Sequence, residues 1–352
     1  MKKGIINAAK MLCFLALLGC VTYQLNYVLQ MKYNLGIRQF YPLDKNTADV
    51  MLFGSSHAEY GVNTAYLWDD YGIAAYSMTE GAQNFGTTYY YMVEALKYQK
   101  PKVMIVEVTY TVRDWEYAGQ DNGNIIGSTI MMRWSKNYLD NMKYNLEVAE
   151  RLSETELDSD FKKNLLLKFP FYHTRYTELR EMDYEPINVA RGRYEGGSYV
   201  YAMDRPEAAY CEDYSPNGYD DIYRKEYLDK MIQLCKENDI QLVFWLSPFA
   251  VSEDYMKIYN TVGKYVKEQG CDFVNFGSAT MQDEIGLDFA TDMVDTQHVN
   301  YEGCHKLSKY WGQYLTDHCG IVSRKDDPYY SVYNDIAEFW HEREAYLRSL
   351  GM

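Results

Sequence analysis

Five short apolar runs, Asp49–Phe53, Ala74–Met78, Lys102–Thr109, Gln241–Leu246 and Asp272–Phe276, most constrain what this chain of 352 residues can fold into. They are near-continuous rather than alternating, as expected of strands buried on both faces of a parallel sheet. Helical periodicity fills the intervals at about Asn63–Tyr71, Thr87–Tyr98, Arg224–Asn238, Glu253–Gln269 and Tyr301–His318. Strands alternating with helices predict a three-layer α/β/α sandwich with right-handed crossovers. The stretch from about Thr111 to Asp221 breaks the rhythm with Gly119, Gly123 and Gly127 and a helical segment near Ser135–Thr155. It reads as an insertion or cap over the carboxyl edge of the sheet, where open α/β folds bind ligands. Asp326–Met352 reads as a terminal helix packed on the surface.

Lys2, Lys3 and Lys10 precede a run without charge from Met11 to Gln30. Twenty helical residues span about 30 Å, the thickness of a bilayer's hydrocarbon core. The basic side belongs in the cytoplasm, which sends the rest of the chain outward. Two rivals stand beside an uncleaved anchor. One is a cleaved signal peptide, although no Ala-x-Ala-like exit follows. The other is a lipoprotein lipidated at Cys20 in Leu17-Leu18-Gly19-Cys20. Apolar residues continuing past Cys20 favour the anchor, and all three readings place the bulk of the chain outside the cytoplasm.

A formal net charge of −15 argues against nucleic acid, whose phosphates need clustered Lys and Arg. The 37 tyrosines suit sugar stacking and half-buried core positions equally. The seven cysteines contain no C-x-x-C pair and match no zinc spacing, so no metal or organic cofactor is expected.

The first apolar run ends in Gly-Ser-Ser-His, Gly54 to His57. A serine there stands over the sheet edge at the start of a helix, where backbone N–H groups can hold an oxyanion. A base is available in Asp-Thr-Gln-His, Asp295 to His298: the carboxylate can hold one imidazole nitrogen and leave the other to take a serine proton. Ser55 is the rival nucleophile or a helix-capping hydroxyl. His57 has no evident carboxylate orienter and reads as a rim or structural residue. Asp292 is a less well spaced alternative to Asp295. In the insertion, Arg175 can clamp a carboxylate or phosphate and His173 can line a pocket; the competing reading is a helix-start turn with an interdomain ion pair. Glu107, at the end of a buried strand, reads as half of an ion pair, and His305, His318 and His341 as packing or surface residues.

These blocks resemble those of the SGNH/GDSL hydrolases, in the membrane-anchored, envelope-associated branch similar to teichoic-acid D-alanylation proteins and polysaccharide O-acetyltransferases or esterases. GSSH is similar to the family's Gly-Asp-Ser block, with Ser55 in the Asp position and Ser56 as nucleophile. DTQH is similar to the closing Asp-x-x-His block, and Asn300 and Gly303 fit its continuation. Ala75–Asn84, AYSMTEGAQN, resembles the block whose glycine amide serves the oxyanion hole, which carries over to Gly81. The family's Gly-x-Asn-Asp block is missing: Glu107, Val108, Thr109 and Tyr110 stand there, and Gln83 is the nearest replacement for the lost asparagine donor.

The resemblance implies a flavodoxin-like SGNH sandwich and ester hydrolysis or acyl transfer to sugar hydroxyls by a serine acyl-enzyme, without cofactor. Expected organisation is a cytoplasmic tail 1–10, an anchor 11–30, a linker 31–46, the hydrolase-like domain 47–322 with its insertion at about 111–221, and a helical tail 323–352. Expected partners are an envelope glycan or acylated carbohydrate, the membrane, and a membrane-bound acyltransferase. The alternative is a non-catalytic glycan-binding or envelope-assembly protein on the same fold.

Overall fold

In a computed structural model of the chain, describing residues 2–30, 36–113, 122–152, 159–168, 172–189, 197–212 and 218–350, each apolar run becomes a strand. These are β1 (Val50–Gly54), β2 (Ala75–Thr79), β3 (Val103–Glu107), β4 (Gln241–Leu246) and β5 (Asp272–Asn275), all parallel in the order β2-β1-β3-β4-β5. Alternate side chains explain why the runs carry so few polar residues. Met51, Phe53, Met104, Val106, Leu242 and Phe244 point into one core, while Val50, Leu52, Val103, Ile105, Val243 and Trp245 point into another. The chain leaves β1 in one direction to make β2 and in the other to make β3, so the topological switch lies between β1 and β3. Open α/β sheets place their ligand crevice at the carboxyl ends of such a pair.

The helices, in chain order, are α1 (Lys2–Leu29), α2 (Gly36–Phe40), α3 (Ser56–Gly61), α4 (Thr64–Tyr71), α5 (Phe85–Ala95), α6 (Asn122–Ile130), α7 (Lys136–Leu152), α8 (Ser159–Leu167), α9 (Lys225–Glu237), α10 (Glu253–Glu268), α11 (Ala279–Glu284), α12 (Tyr301–Cys319) and α13 (Val332–Ser349). Helices α5, α9 and α10 cover the first face, and α4, α12 and α13 the second. The terminal helix is part of that core, since Tyr333, Ile336, Ala337 and Trp340 are buried and Tyr333 stacks on Trp68 at 5.3 Å. Helix α1 is exposed along most of its length and is long and apolar enough to cross a membrane.

One expectation changes. The third strand stops at Glu107 although the apolar run continues through Val108, because the Glu107 carboxylate accepts the Thr109 N–H at 2.7 Å and the Thr109 hydroxyl, turning the chain aside. Among the described residues of the insertion, α6 and α7 lie against α5. Tyr91 donates to the Ser128 carbonyl at 2.6 Å, Thr87 to Asn141 at 3.0 Å, and Asn84 to Asn145 at 2.6 Å. Its later part reaches the sheet's ligand edge, where the N–H groups of Tyr201 and Met203 donate to the carbonyls of Met293 (2.9 Å) and Phe289 (3.2 Å).

Candidate active site

Strand β1 ends at Gly54 with φ +149°, a conformation open mainly to glycine, and the chain turns at once into α3. Ser55 caps that helix: its Oγ accepts the His57 N–H at 3.4 Å and donates to Glu107 Oε2 at 3.3 Å. Ser56, the first helical residue, is half-buried, and its Oγ lies 2.8 Å from His298 Nε2 across 242 residues of sequence.

The His298 side is built by a local turn. Asp295 Oδ1 accepts the backbone N–H groups of Gln297 (2.7 Å) and His298 (2.8 Å), and both carboxylate oxygens lie 3.0 Å from His298 Nδ1. The spacing in DTQH thus serves twice, closing the turn and presenting the ring. Nδ1–H facing a carboxylate leaves the Nε2 lone pair to accept the Ser56 hydroxyl proton. Partial burial pushes the Asp295 carboxyl up, but the hydrogen bonds from His298 and the two backbone N–H groups outweigh it and hold the carboxyl below its ordinary range. Further pins fix the loop: Ala250 N–H donates to the Thr296 carbonyl (2.8 Å), and Val294 N–H to the His298 carbonyl (2.9 Å). Gly303 is needed here because a Cβ would stand 2.5 Å from the Asp292 carbonyl oxygen.

The His298 ring lies between Tyr60 (ring centroids 4.6 Å apart) and His57 (5.1 Å). His57 is buried against Phe249, and burial together with the neighbouring His298 holds it well below its ordinary value. A neutral His57 therefore does not compete with positive charge forming on His298. Sequence reading missed Tyr60; its position four residues after Ser56, on the same helix face, was the available signal.

Several of the candidate site residues have other duties. Gln83 is buried and its Nε2 donates to Thr88 Oγ1 at 2.9 Å, not toward Ser56. Ser55 is buried beneath the turn as a cap. Asn300 caps α12, accepting the N–H groups of Glu302 and Gly303, while its Nδ2 donates to the Thr291 carbonyl at 2.7 Å, so it orders the loop rather than facing substrate. Asp292 is committed to Lys306 at 2.6 Å and so does not replace Asp295. Arg175 donates to the Leu29 carbonyl (2.6 Å) and pairs with Asp183 (2.9 Å), which places it and His173 against α1 and away from Ser56. Gly81 lies in the turn after β2, whose Glu80 N–H donates to the Gly54 carbonyl at 3.3 Å, beside the end of β1. Among the described residues no group of three His, Cys, Asp or Glu side chains is placed to hold a metal ion.

Glu107 forms no ion pair among the described residues. Burial raises its carboxyl to about 7, against hydrogen bonds from Thr109, Ser55 and Val108 that pull the other way. The folded state therefore holds this proton after the unfolded chain has lost it, and stability falls as pH rises from about 4.5 to about 7. Relative to Glu107→Gln, wild-type protein is expected to lose up to about 3 kcal/mol across that window in urea titrations. Parallel stability–pH curves for the two proteins would contradict this.

No protein-family model and no curated protein matches the chain.

Proposed function

We propose that the chain is a membrane-anchored, extracytoplasmic SGNH-type serine esterase or O-acyltransferase acting on envelope polysaccharide. The single observation that carries the reading is the hydrogen-bonded series Ser56–His298–Asp295, assembled from opposite ends of the sequence at the carboxyl edge of the sheet. The strand order 2-1-3-4-5 and helices on both faces support the SGNH sandwich. Helix α1, with Lys2, Lys3 and Lys10 at its start, supports an anchor whose other end faces outward.

In this reading Ser56 Oγ attacks the carbonyl carbon of an ester while His298 Nε2 takes the hydroxyl proton. Asp295 keeps Nδ1 protonated and stabilises the imidazolium. The backbone N–H groups of Ser56 and Gly81 receive the oxyanion. Collapse of the tetrahedral intermediate breaks the C–O bond, and His298 returns the proton to the departing alcohol oxygen. Water or a sugar hydroxyl, deprotonated by His298, then attacks the acyl-Ser56 carbonyl and frees the serine. Water gives an esterase and a sugar hydroxyl gives a transferase; a membrane-bound acyltransferase as partner fits the second outcome.

The test is covalent. A fluorophosphonate probe should label the wild-type chain at Ser56, with labelling abolished in Ser56→Ala. A folded wild-type protein that neither labels nor turns over a simple acetyl ester would sink the enzyme reading and leave the glycan-binding one. Adding a sugar acceptor to the working enzyme and weighing O-acyl sugar against free acid separates transferase from esterase.

A further inference from the structure

The end of α1 that meets the rest of the chain borders a cavity of about 430 Å³. Among the described residues its wall carries Arg38, Arg133 and Lys168 and no carboxylate, in a chain whose net charge is −15. Two of these cations are buried, Arg38 at 6% exposure and Lys168 at 7%. Buried cations are ordinarily paired with acids. Lys168 is not: its ammonium donates to the Met132 carbonyl and lies 3.8 Å over the Tyr138 ring, with no ion pair among the described residues. The acid that acts on it, Glu94, is taken by Lys97 (2.5 Å), Asn137 (3.0 Å) and Tyr41 (3.1 Å). Among the described residues the Arg133 guanidinium meets Tyr98 and Tyr41, lying 4.2 Å over the Tyr41 ring. Nearby Arg175 is already neutralised by Asp183.

Lys168 is also held at φ +56°, just past the end of α8, where glycine is the usual residue. A side chain with a Cβ is strained there where glycine would not be. Burial, followed by repulsion from Arg38, lowers its ammonium to about 7. An anion in the cavity relieves both penalties.

Depth along α1 narrows the ligand. The 28-residue helix is about 42 Å long, against about 30 Å of hydrocarbon. Tyr23, Gln24, Asn26 and Tyr27 replace aliphatic side chains near the cavity, and tyrosines of this kind sit at the membrane–water boundary. The cavity then lies at headgroup level. We propose that it binds the phosphate of an anionic lipid headgroup, held by Arg38, Lys168 and Arg133. The proposal rests on the reading of α1 as a membrane span and not on the esterase chemistry.

The full chain in mild detergent, offered equal dioleoyl phosphatidylglycerol and dioleoyl phosphatidylcholine, is examined by native mass spectrometry. Wild type should retain the glycerol lipid by about fivefold or more, and Lys168→Gln or Arg38→Gln should each lower that ratio by about fivefold. Arg133→Gln, on the exposed rim, should also lower it, and cannot do so by emptying a core. Matched circular dichroism spectra and cooperative thermal unfolding report folding in each variant, and flotation of wild type with vesicles tests the span by itself. A wild-type ratio near one, or a ratio unchanged in all three variants, overturns the site. Failure of wild type to float overturns the headgroup placement. Displacement of the bound lipid by tenfold excess sn-glycerol 3-phosphate assigns the cavity to a soluble phosphate and overturns the lipid source.

Discussion

On the proposed mechanism, His298→Ala is expected to lower kcat for a simple acetyl ester by about 10⁴- to 10⁶-fold, because there the same imidazole takes the Ser56 proton and hands it to the leaving alcohol. Asp295→Asn is expected to cost about 10²- to 10⁴-fold, since an amide no longer fixes the Nδ1–H tautomer. The smaller range follows from the exposure of Asp295, whose side chain is 52% accessible, so solvent screens part of its field on the ring. These losses should not add. A Ser56→Ala/His298→Ala double variant should be no slower than Ser56→Ala alone, because the groups act as one unit. His57→Gln supplies the contrast: its ring is 5.1 Å from that of His298, but it is buried and neutral, so its loss should cost far less than the loss of His298. Steady-state assays with matched circular dichroism spectra decide the matter. If His298→Ala kept more than about a tenth of the activity, the proton would have to travel by another residue, with His57 first in line.

The contrast between these two histidines shows where sequence suffices. Aspartate three residues before His298 is a local device, closing its own turn through backbone N–H groups, so the motif alone carries the geometry. The five strands were legible for a similar reason. Burial on both faces removes polar residues from the whole run, and hydropathy records it. What hydropathy could not record was the end of β3, set by a side-chain contact between Glu107 and Thr109 inside an apolar stretch. Long-range placement was equally hidden. Nothing around Arg175 says that it will meet the end of α1, and nothing in α7 says that it will lie on α5 rather than over the sheet edge. Polar residues beside the serine misled for a third reason. Gln83 and Asn300 look like ligand contacts in sequence, yet sharp turns at a sheet edge leave backbone and hydroxyl groups that need partners, and these side chains satisfy them, as does Ser55 in the capping role that sequence also offered it.

Gly54→Ala should be among the most damaging single substitutions outside the reacting groups. Its φ of +149° is open mainly to glycine, and a Cβ would stand 2.7 Å from Glu107 Cβ and 2.9 Å from Ala58 Cβ. Neither neighbour can swing away, because a Cβ is fixed by its own backbone, one in β3 and the other in α3. Strained backbone costs about 1–3 kcal/mol and overpacking about as much again. A total of about 2–6 kcal/mol is a large share of a domain's 5–15 kcal/mol of stability. Gly270→Ala isolates the first contribution: Gly270 also has positive φ (+82°), but nothing lies within 4 Å of its added methyl, so only the backbone cost should remain. Urea titrations of the two variants and wild type measure the difference, and equal losses in both would refute the steric part of the argument. Activity should fall with stability in Gly54→Ala only. Whatever separates β1 from β3 moves the Ser55–Glu107 hydrogen bond, and the first turn of α3 that carries Ser56 moves with it. A shift of about 1 Å in Ser56 Oγ would stretch its 2.8 Å contact with His298 beyond hydrogen-bond reach, so the residual folded fraction should label poorly with the serine probe.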